Sequence, residues 1–390
     1  MLLALFASGL ATFSQLYSVQ GLLPEMSRNL NISEAQAALS VSAATLGLAL
    51  AVIPWAIASD RMGRRQVIGI ALVSSVVLGL AGAVSPSVEL LLAARFLEGV
   101  ALAGVPGTTL AYLAEELSAG AVAIASGIYI SGTTVGGLVG RLLAAWVAQP
   151  LGWRWGVAAV SLLAAAAMIV FFIKAPRAQG FTPVPDVHLR PVLRRFRASL
   201  QGRRPILYLQ GFLLMGGFVA TYNYLAFRLE APPFMIPPAL AALVFLAYLA
   251  GTWSSIASGG IVNRVGRRTS LLLGIGVMMA WLLLTLSVVL WVIILGMLIF
   301  TAGFFAAHAV ASGWVPVLAP ETRAQAASLY NLGYYIGSSL FGWLLGIPFM
   351  HFGWSALVGW VVGLQLVAAA AAWFLRPPRQ PQPVIERSTE

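Results

Sequence analysis

Two ionisable residues that could carry a proton or hold an anion stand inside one long apolar stretch of the sequence. Arg95 and Glu98 lie three positions apart in the apolar run 88–112. In a helix this spacing puts both side chains on one face, where they can form an ion pair. A charge inside a membrane costs about 2.5–3.5 kcal/mol or more and is a functional hypothesis by default. We predict that Glu98 takes up a proton in one state and frees Arg95; the alternative is that the pair only anchors its helix.

A second arginine, Arg141, lies near the end of another apolar run, 121–148. A guanidinium group binds carboxylate and phosphate groups through two parallel hydrogen bonds. Because Glu98 is the one carboxylate placed deep in an apolar run, Arg95 and Arg141 leave this region with a net positive charge. We therefore predict a site for an anionic or zwitterionic substrate. The alternative is that Arg141 extends to the membrane interface near Trp146.

Polar and aromatic side chains in other apolar runs are candidates to line the same site. The predicted substrate-binding set comprises Tyr17, Gln20, Arg95, Tyr129, Arg141, Tyr222, Asn223, Asn331 and Tyr334. Aromatic residues at helical spacing can equally serve in packing. His308 can titrate near neutral pH or simply hydrogen-bond inside a helix. The set predicts a cavity with mixed polar and aromatic walls.

The composition indicates which elements must hold these residues. The chain has 390 residues, of which 60% are hydrophobic and 9% charged, whereas a soluble domain is about 25% charged. Apolar runs of about 20 residues predict transmembrane helices. We place twelve such helices, at residues 2–24, 34–58, 66–84, 88–112, 121–148, 153–174, 205–229, 237–258, 269–287, 290–317, 322–348 and 353–375. The predicted fold is an all-α membrane protein.

The same composition argues against several functional classes. The chain has no cysteine, so no disulfide or thiol chemistry is expected. We find no Gly-x-x-x-x-Gly-Lys-Ser/Thr loop and predict no cofactor, and no cluster of catalytic groups indicates a membrane enzyme. The net charge of +11 lies in short loops beside the apolar runs. That placement is an orientation signal, so no nucleic-acid partner is predicted.

The basic loops predict how the chain is oriented. If the turn at Asp60 is cytoplasmic, most arginines fall on that side, and only Arg28, Arg154 and Arg228 fall on the other. Positively charged loops stay in the cytoplasm. We therefore predict a multi-pass protein of the cell (inner) membrane, embedded in the lipid bilayer, with both termini cytoplasmic. The loop with the basic run 194–197 is either an amphipathic helix on the headgroups or a solvated linker.

One charged turn occurs twice between apolar runs. Its first copy reads Asp60-Arg61-Met62-Gly63-Arg64-Arg65, and its second copy reads Asn263-Arg264-Val265-Gly266-Arg267-Arg268. Residue 263 follows residue 60 by 203 positions, about half of the 390 residues. This offset indicates a tandem duplication. The predicted parts are an N-terminal six-helix bundle at 1–174, a basic linker at 175–204, a C-terminal six-helix bundle at 205–375 and a tail at 376–390.

The repeated turn resembles the signature loop of the major facilitator superfamily of secondary transporters, which lies between spans two and three and is echoed between spans eight and nine. Arg95 followed by Gly99 resembles the family's fourth-helix pattern. A glycine-rich stretch in the fifth run resembles the fifth-helix signature of the family's antiporters, with Thr133 in place of a proline. Small residues at this spacing also let another helix approach closely. The glycines concerned are Gly132, Gly136, Gly137 and Gly140.

The resemblance implies two pseudo-symmetric six-helix bundles that rock around a central site near the membrane midplane. It implies a monomer that moves a small molecule, similar to the drug and sugar efflux group that includes arabinose-efflux-like permeases. Proton-coupled efflux is therefore the predicted function, with protons and the substrate as partners. The alternatives are import or uniport of an organic anion, and a non-transporting membrane sensor.

The resemblance also implies that the signature loop works as a cytoplasmic latch. Asp60 is then expected near the start of span eleven, close to Thr322, where a helix dipole stabilises a carboxylate by roughly 0.3–1 kcal/mol. Arg61 or Arg64 is expected to pair with Glu115 or Glu116. Because Asn263 carries no charge, the latch should be asymmetric. The predicted latch residues are Asp60, Arg61, Gly63, Arg64, Arg65, Glu115, Glu116, Asn263, Arg264, Gly266, Arg267 and Arg268.

Overall fold

The computed structural model of the chain describes residues 1–176, 181 and 189–375. Helices hold most of these residues, and no strand occurs among them. The predicted tail 376–390 and part of the predicted linker 175–204 lie outside the described residues. The linker contributes one short helix, Leu189–Ser199 (α9).

The first half of the chain forms eight helices. They are α1 (Leu2–Leu16), α2 (Leu23–Leu30), α3 (Glu34–Met62), α4 (Arg64–Ala83), α5 (Val88–Leu102), α6 (Pro106–Glu116), α7 (Ala119–Leu151) and α8 (Trp153–Lys174). Two of the predicted spans are therefore interrupted. The first span divides into α1 and α2, and the fourth divides into α5 and α6, where Pro106 begins the second piece because proline fits the first turn of a helix.

The second half repeats this plan with different interruptions. Its helices are α10 (Arg204–Glu230), α11 (Pro238–Ala241), α12 (Ala247–Val265), α13 (Arg267–Leu284), α14 (Leu290–Leu318), α15 (Arg323–Leu344) and α16 (Gly346–Trp373). A 3₁₀ turn, Ala242–Leu246, joins α11 to α12. Gly353, with a φ of 73°, bends α16 at the boundary between the predicted spans eleven and twelve. Only glycine adopts such a φ without steric cost.

Nine helical segments of the described residues are long and apolar enough to cross a membrane. The three remaining predicted spans correspond to α1 with α2, to α5 with α6, and to α15. The first two are broken into shorter pieces. In α15, polar residues such as Asn331 lower the hydropathy. Each of the twelve predicted spans therefore has a helical counterpart.

Both copies of the charged turn have the same backbone. Gly63, with a φ of 97°, ends α3 and precedes α4, and Gly266, with a φ of 80°, ends α12 and precedes α13. A positive φ reverses the chain within one residue and favours glycine. The shared conformation is the structural counterpart of the duplication seen in the sequence.

Glycines hold α7 against α1. A Cβ atom on any of three α7 glycines would collide with the backbone of α1, so the two helices touch at main-chain distance. Close approach of this kind is the usual role of small residues in membrane helices. The pairs are Gly132 with Phe6, Gly136 with Leu10, and Gly140 with Ser14.

The C-terminal half uses the same arrangement for α15 against α10. A Cβ atom on Gly333 would meet the backbone oxygen of Tyr208, and one on Gly337 would meet the backbone of Phe212. Spans one and five therefore pack as spans seven and eleven do. Helices α1–α8, here called the N-terminal half, pack mainly with one another, as do α10–α16, the C-terminal half.

Candidate functional site

A cavity of about 320 Å³ lies between the two halves, with walls from α1, α7, α10, α12, α14 and α15. Four of the predicted substrate residues line it: Tyr17, Arg141, Asn331 and Tyr334. The sequence did not predict much of the aromatic wall, which includes Phe218, Tyr248, Phe304 and Phe305. These residues carry no signal of their own in one sequence, because apolar aromatics are equally frequent in helix packing.

Arg141 is the charged residue of this cavity. Its side chain is only 2% exposed. Its Nε donates to Gln20 Oε1 at 2.7 Å, its Nη1 to the Gly137 carbonyl at 2.6 Å, and its Nη2 to Tyr248 Oη at 3.3 Å. The alternative in which Arg141 extends to the membrane interface is therefore wrong. Gly137, predicted to pack against a helix, instead lies on the cavity wall beside Arg141.

Three aromatic rings surround the Arg141 guanidinium. Its Cζ lies 4.5 Å from the ring centre of Tyr17, 5.0 Å from that of Phe245 and 4.9 Å from that of Tyr248. Ring faces attract a cation, most strongly where water is excluded. Among the described residues, no aspartate or glutamate pairs with Arg141. Its charge is thus held by neutral groups, and the cavity carries a net positive charge.

Gln20 and Asn223 do not line the cavity, in contrast to the prediction. Gln20 Nε2 donates to Asn223 Oδ1 at 2.8 Å, and Asn223 Nδ2 donates to the Gly342 carbonyl at 3.0 Å. Both side chains are fully buried. They join the two halves directly, so the Arg141–Gln20 bond connects the cavity to this junction.

Tyr129, Tyr222 and Arg95 also lie away from the cavity walls. Tyr222 shares a hydrogen bond of 2.6 Å with Thr301 and stacks on Phe245 at 5.3 Å. Tyr129 is buried in the core of the N-terminal half. Which face of a helix points inward depends on its rotation, and several polar faces in one sequence leave that rotation undetermined.

His308 of α14 lies on the cavity wall that the C-terminal half forms, opposite the N-terminal half. Its Nδ1 lies 2.8 Å from Tyr330 Oη, and its ring centre lies 4.9 Å from that of Tyr334. It also stacks on Phe304 at 5.8 Å. The histidine therefore combines a hydrogen bond with ring packing, and its remaining face belongs to the cavity.

Arg95 and Glu98 form the predicted ion pair, but inside the N-terminal half. Arg95 Nη1 lies 2.5 Å from Glu98 Oε2, and each side chain is 1% exposed. Arg95 also donates to three backbone carbonyls, those of Gln15 at 3.2 Å, Leu16 at 2.7 Å and Ser40 at 3.1 Å. Two of these carbonyls belong to the end of α1. Arg95 therefore holds the break in the first span and does not contact the cavity.

Glu98 also contacts α1 through Gln15. With its amide oriented to satisfy its hydrogen bonds, Gln15 donates to Glu98 Oε1 at 3.3 Å and accepts from Ser75 Oγ at 3.0 Å. Tyr17, on the cavity wall, follows two residues later. The break in the first span thus lies between the buried ion pair and the cavity.

The two halves meet at one end of the molecule. The hydrogen bonds and ion pairs seen between them lie toward the end remote from Asp60, here called the closed end. They include Arg28 with Glu230 at 2.9 Å, and Ser339 Oγ with the Ser42 carbonyl at 2.8 Å. At the Asp60 end the described residues other than Glu116 supply none between the halves.

At the first charged turn, Arg64 bridges two carboxylates. Its Nη1 lies 2.6 Å from Asp60 Oδ1, and its Nη2 lies 2.8 Å from Glu115 Oε1. Arg65 caps the end of α8 by donating to the Ala175 carbonyl at 3.1 Å. Arg61 is exposed.

Thr322 does not meet Asp60 in this arrangement, contrary to expectation. It accepts a hydrogen bond of 2.8 Å from Ser199 at the end of the linker helix α9. The linker therefore occupies the start of α15, while the ion pair of Asp60 with Arg64 stays within its own half. The shape of the linker could not be read from its basic composition.

The second charged turn differs from the first. Asn263 and Arg264 are exposed, and Arg268 lies over the Trp373 ring at 5.1 Å. Within the described part of the chain, none of its arginines forms an ion pair. The two copies thus share a backbone but not a charge network.

Comparisons with known proteins agree with this architecture. The family model of the Major Facilitator Superfamily matches residues 1–253. The chain is 37% identical over 373 residues to the uncharacterized MFS-type transporter YybF of Bacillus subtilis (strain 168), covering 95% of this chain and 92% of that protein. It is 40% identical over 370 residues to the inner membrane transport protein YnfM of Escherichia coli (strain K12), covering 94% and 88%.

A solved structure shows the same fold. A bacterial homologue of the human lysosomal transporter Spinster, in an inward-facing and occupied conformation, superimposes with a TM-score of 0.79 at 15% identity, covering 95% of each chain. The all-α prediction of twelve helices is thereby confirmed. The sequence relatives indicate an integral membrane transporter rather than an enzyme. We conclude that this chain belongs to the Major Facilitator Superfamily.

Proposed function

We propose that this transporter exports a small organic anion in exchange for protons, by alternating access to the cavity at Arg141. The observation that carries the proposal is the Arg141 guanidinium, 2% exposed and without a carboxylate partner among the described residues. A buried charge is costly unless an opposite charge compensates it. A substrate carboxylate would supply that charge and accept two parallel hydrogen bonds.

The cavity walls favour an anion with an apolar, flat body. Phe218 and Phe304 stack at 3.9 Å on the side of the C-terminal half, and Phe305 lies edge-on to both. A volume of about 320 Å³ is at the small end for ligand pockets. A small aromatic or cyclic carboxylate fits both the charge and the walls.

Substrate binding is coupled to the closed end through Gln20. In the described arrangement Gln20 Oε1 accepts from Arg141, while Gln20 Nε2 donates to Asn223. A substrate carboxylate competes with Gln20 for the guanidinium. Loss of that bond leaves Gln20 free to reorient, which weakens the junction with Asn223. Substrate binding then favours opening of the closed end.

Glu98 is the proposed proton carrier. Protonation removes its charge and weakens its pairing with Arg95, which holds the end of α1 through the Gln15 and Leu16 carbonyls. The α1 break carries Tyr17 and Gln20. A proton on Glu98 therefore changes the cavity wall through α1, without direct contact between Glu98 and the substrate.

We further propose that the transporter is a monomer, that it exports its substrate and that both of its termini lie in the cytoplasm. The glycine pattern of α7 resembles that of antiporters, which supports export over import. The basic loops place both termini in the cytoplasm. With that orientation, the arrangement described here is closed to the outside and faces the cytoplasm.

The test is substrate-dependent proton movement in proteoliposomes that contain the full chain. A panel of aromatic carboxylates, sugars and cationic drugs is offered to wild type and to Glu98→Gln. We expect proton flux with carboxylates alone and its loss in the variant. Carboxylate movement without proton flux, equal in both proteins, would refute proton coupling. Carboxylate movement in the same direction as the proton flow would indicate import by symport.

A further inference from the structure

The second charged turn lacks the carboxylates that pair with an arginine of the first turn. Arg64 is neutralised by Asp60 and Glu115. At the equivalent positions of the second half, 203 residues later, the chain has Asn263 and Leu318. Arg267, the counterpart of Arg64, forms no ion pair or hydrogen bond with another described residue. Its positive charge is therefore available to an anion from outside the chain.

These residues form a pocket rather than a flat surface. A cavity of about 520 Å³ is lined by Asn263, Gly266, Arg267, Arg268 and Thr269, together with Trp314 of α14. It lies at the N-terminus of α13, which has no side-chain cap. Free backbone N–H groups and the helix dipole both favour a negative charge at such a position.

An unpartnered donor in the pocket wall points independently to a ligand. Trp314 is completely buried, yet its indole Nε1 has no hydrogen-bond partner. Buried N–H groups almost always have a partner. Trp314 is a wall of the same pocket as Arg267 and Arg268. Trp314 thus brings an unsatisfied N–H donor to the wall that Arg267 and Arg268 share, and a ligand oxygen reaches this donor once the side chains that cover it shift.

The setting indicates that the anion belongs to a lipid. Arg268 lies over the ring of Trp373, which is 64% exposed at the end of α16. Exposed tryptophans at the ends of membrane helices mark the headgroup level. Basic pockets between helices at this level bind anionic lipid headgroups.

We propose that the pocket at the α12–α13 turn binds the phosphate of an anionic phospholipid, with Arg267, Arg268 and Trp314 as its ligands. The duplicated turn then serves two purposes. The first copy holds an ion-pair network within the protein, and the second anchors the C-terminal half to the headgroup layer. This proposal does not depend on the substrate or on proton coupling.

The test uses fluorescent phosphatidylglycerol titrated against the full-length transporter in phosphatidylcholine-containing micelles. Arg267→Gln and Arg268→Gln should each weaken binding roughly tenfold or more, because charge-assisted hydrogen bonds are lost. Arg264→Gln is the matched control: it removes the same charge from the same turn but lies outside the pocket. Because it only removes one positive charge near the membrane surface, it should weaken lipid binding about fivefold or less.

Two further measurements separate the remaining explanations. Trp314→Phe keeps a ring and removes the indole N–H, and weaker binding is expected, whereas unchanged binding would overturn the role of Trp314. Equal loss in Arg264→Gln and Arg267→Gln, or no preference over phosphatidylcholine, would overturn the site. Displacement of the lipid by millimolar inorganic phosphate would show a soluble phosphate site and overturn the lipid assignment.

Discussion

Gln20 donates a hydrogen bond of 2.8 Å from its Nε2 to Oδ1 of Asn223, a residue that follows it by 203 positions. The same offset separates the two charged turns, so these residues occupy equivalent places in the duplicated halves. Equivalent residues can meet only near the axis that relates the halves. The junction between the halves therefore runs through this pair, and the Arg141–Gln20 bond links it to the cavity.

Asn223→Leu should open the closed end. The change leaves the Gln20 Nε2 donor buried without its acceptor, which costs about 1–3 kcal/mol. Spin labels on Leu151 and Met235, both exposed at this end, report the separation of the halves. The chain has no cysteine, so labelling sites can be introduced into the natural sequence. We expect a larger fraction of long distances.

The control for this experiment is Gln149→Ala, which removes an exposed hydrogen bond to the Ala239 backbone at the same end. An exposed bond contributes little, so the distance distribution should not change. A distribution for Asn223→Leu that is identical to wild type would refute the role of the junction.

Gly136→Ala should destabilise the protein, since the added methyl group meets the backbone of α1 at Leu10. Overpacking of this kind costs about 1–3 kcal/mol. Gly127→Ala, on the same helix α7 with open space at its Cβ position, is the matched control. Thermal unfolding in detergent should show a lower Tm for the first variant alone. Equal Tm values would contradict the close contact of α1 with α7.

Asp60→Asn should favour the arrangement described here. The proposed latch stabilises the opposite state, in which the Asp60 end is closed. Loss of the latch therefore raises the population of the arrangement described here, in which the end remote from Asp60 is closed. The Leu151–Met235 label pair should then shift toward short distances. Asn263→Ala, at the equivalent position of the second turn, should leave the distribution unchanged. A shift caused by Asn263→Ala as well would contradict an asymmetric latch.

The residue types in the sequence predicted the chemistry of the site better than the positions of its side chains. Charges in apolar runs made Arg95, Glu98 and Arg141 candidates, and two of these form the predicted pair. The break between α1 and α2 was not foreseen, because no proline or charge marks residues 17–22. That break turns Arg95 into a cap for α1 carbonyls and keeps it from the cavity.

The misplaced residues share one physical cause. Tyr129, Tyr222 and Asn223 lie on helices with several polar positions, and Gln20 lies in the break between α1 and α2. Which of these side chains turns inward is fixed by packing across the halves. The α7 glycines were informative because a close contact admits no larger residue. The aromatic wall at Phe304 and Phe305 left no sequence signal, since its composition is that of ordinary packing.

The most direct test of the account is binding of an aromatic carboxylate and its carboxamide to purified wild type, Arg141→Lys and Arg141→Gln. The two ligands share one shape and differ in charge. Wild type should bind only the carboxylate, and Arg141→Gln should lose about 2–5 kcal/mol of its binding free energy. Arg141→Lys should retain part of it. Equal binding of acid and amide, or full binding by Arg141→Gln, would contradict the claim that Arg141 holds the substrate anion.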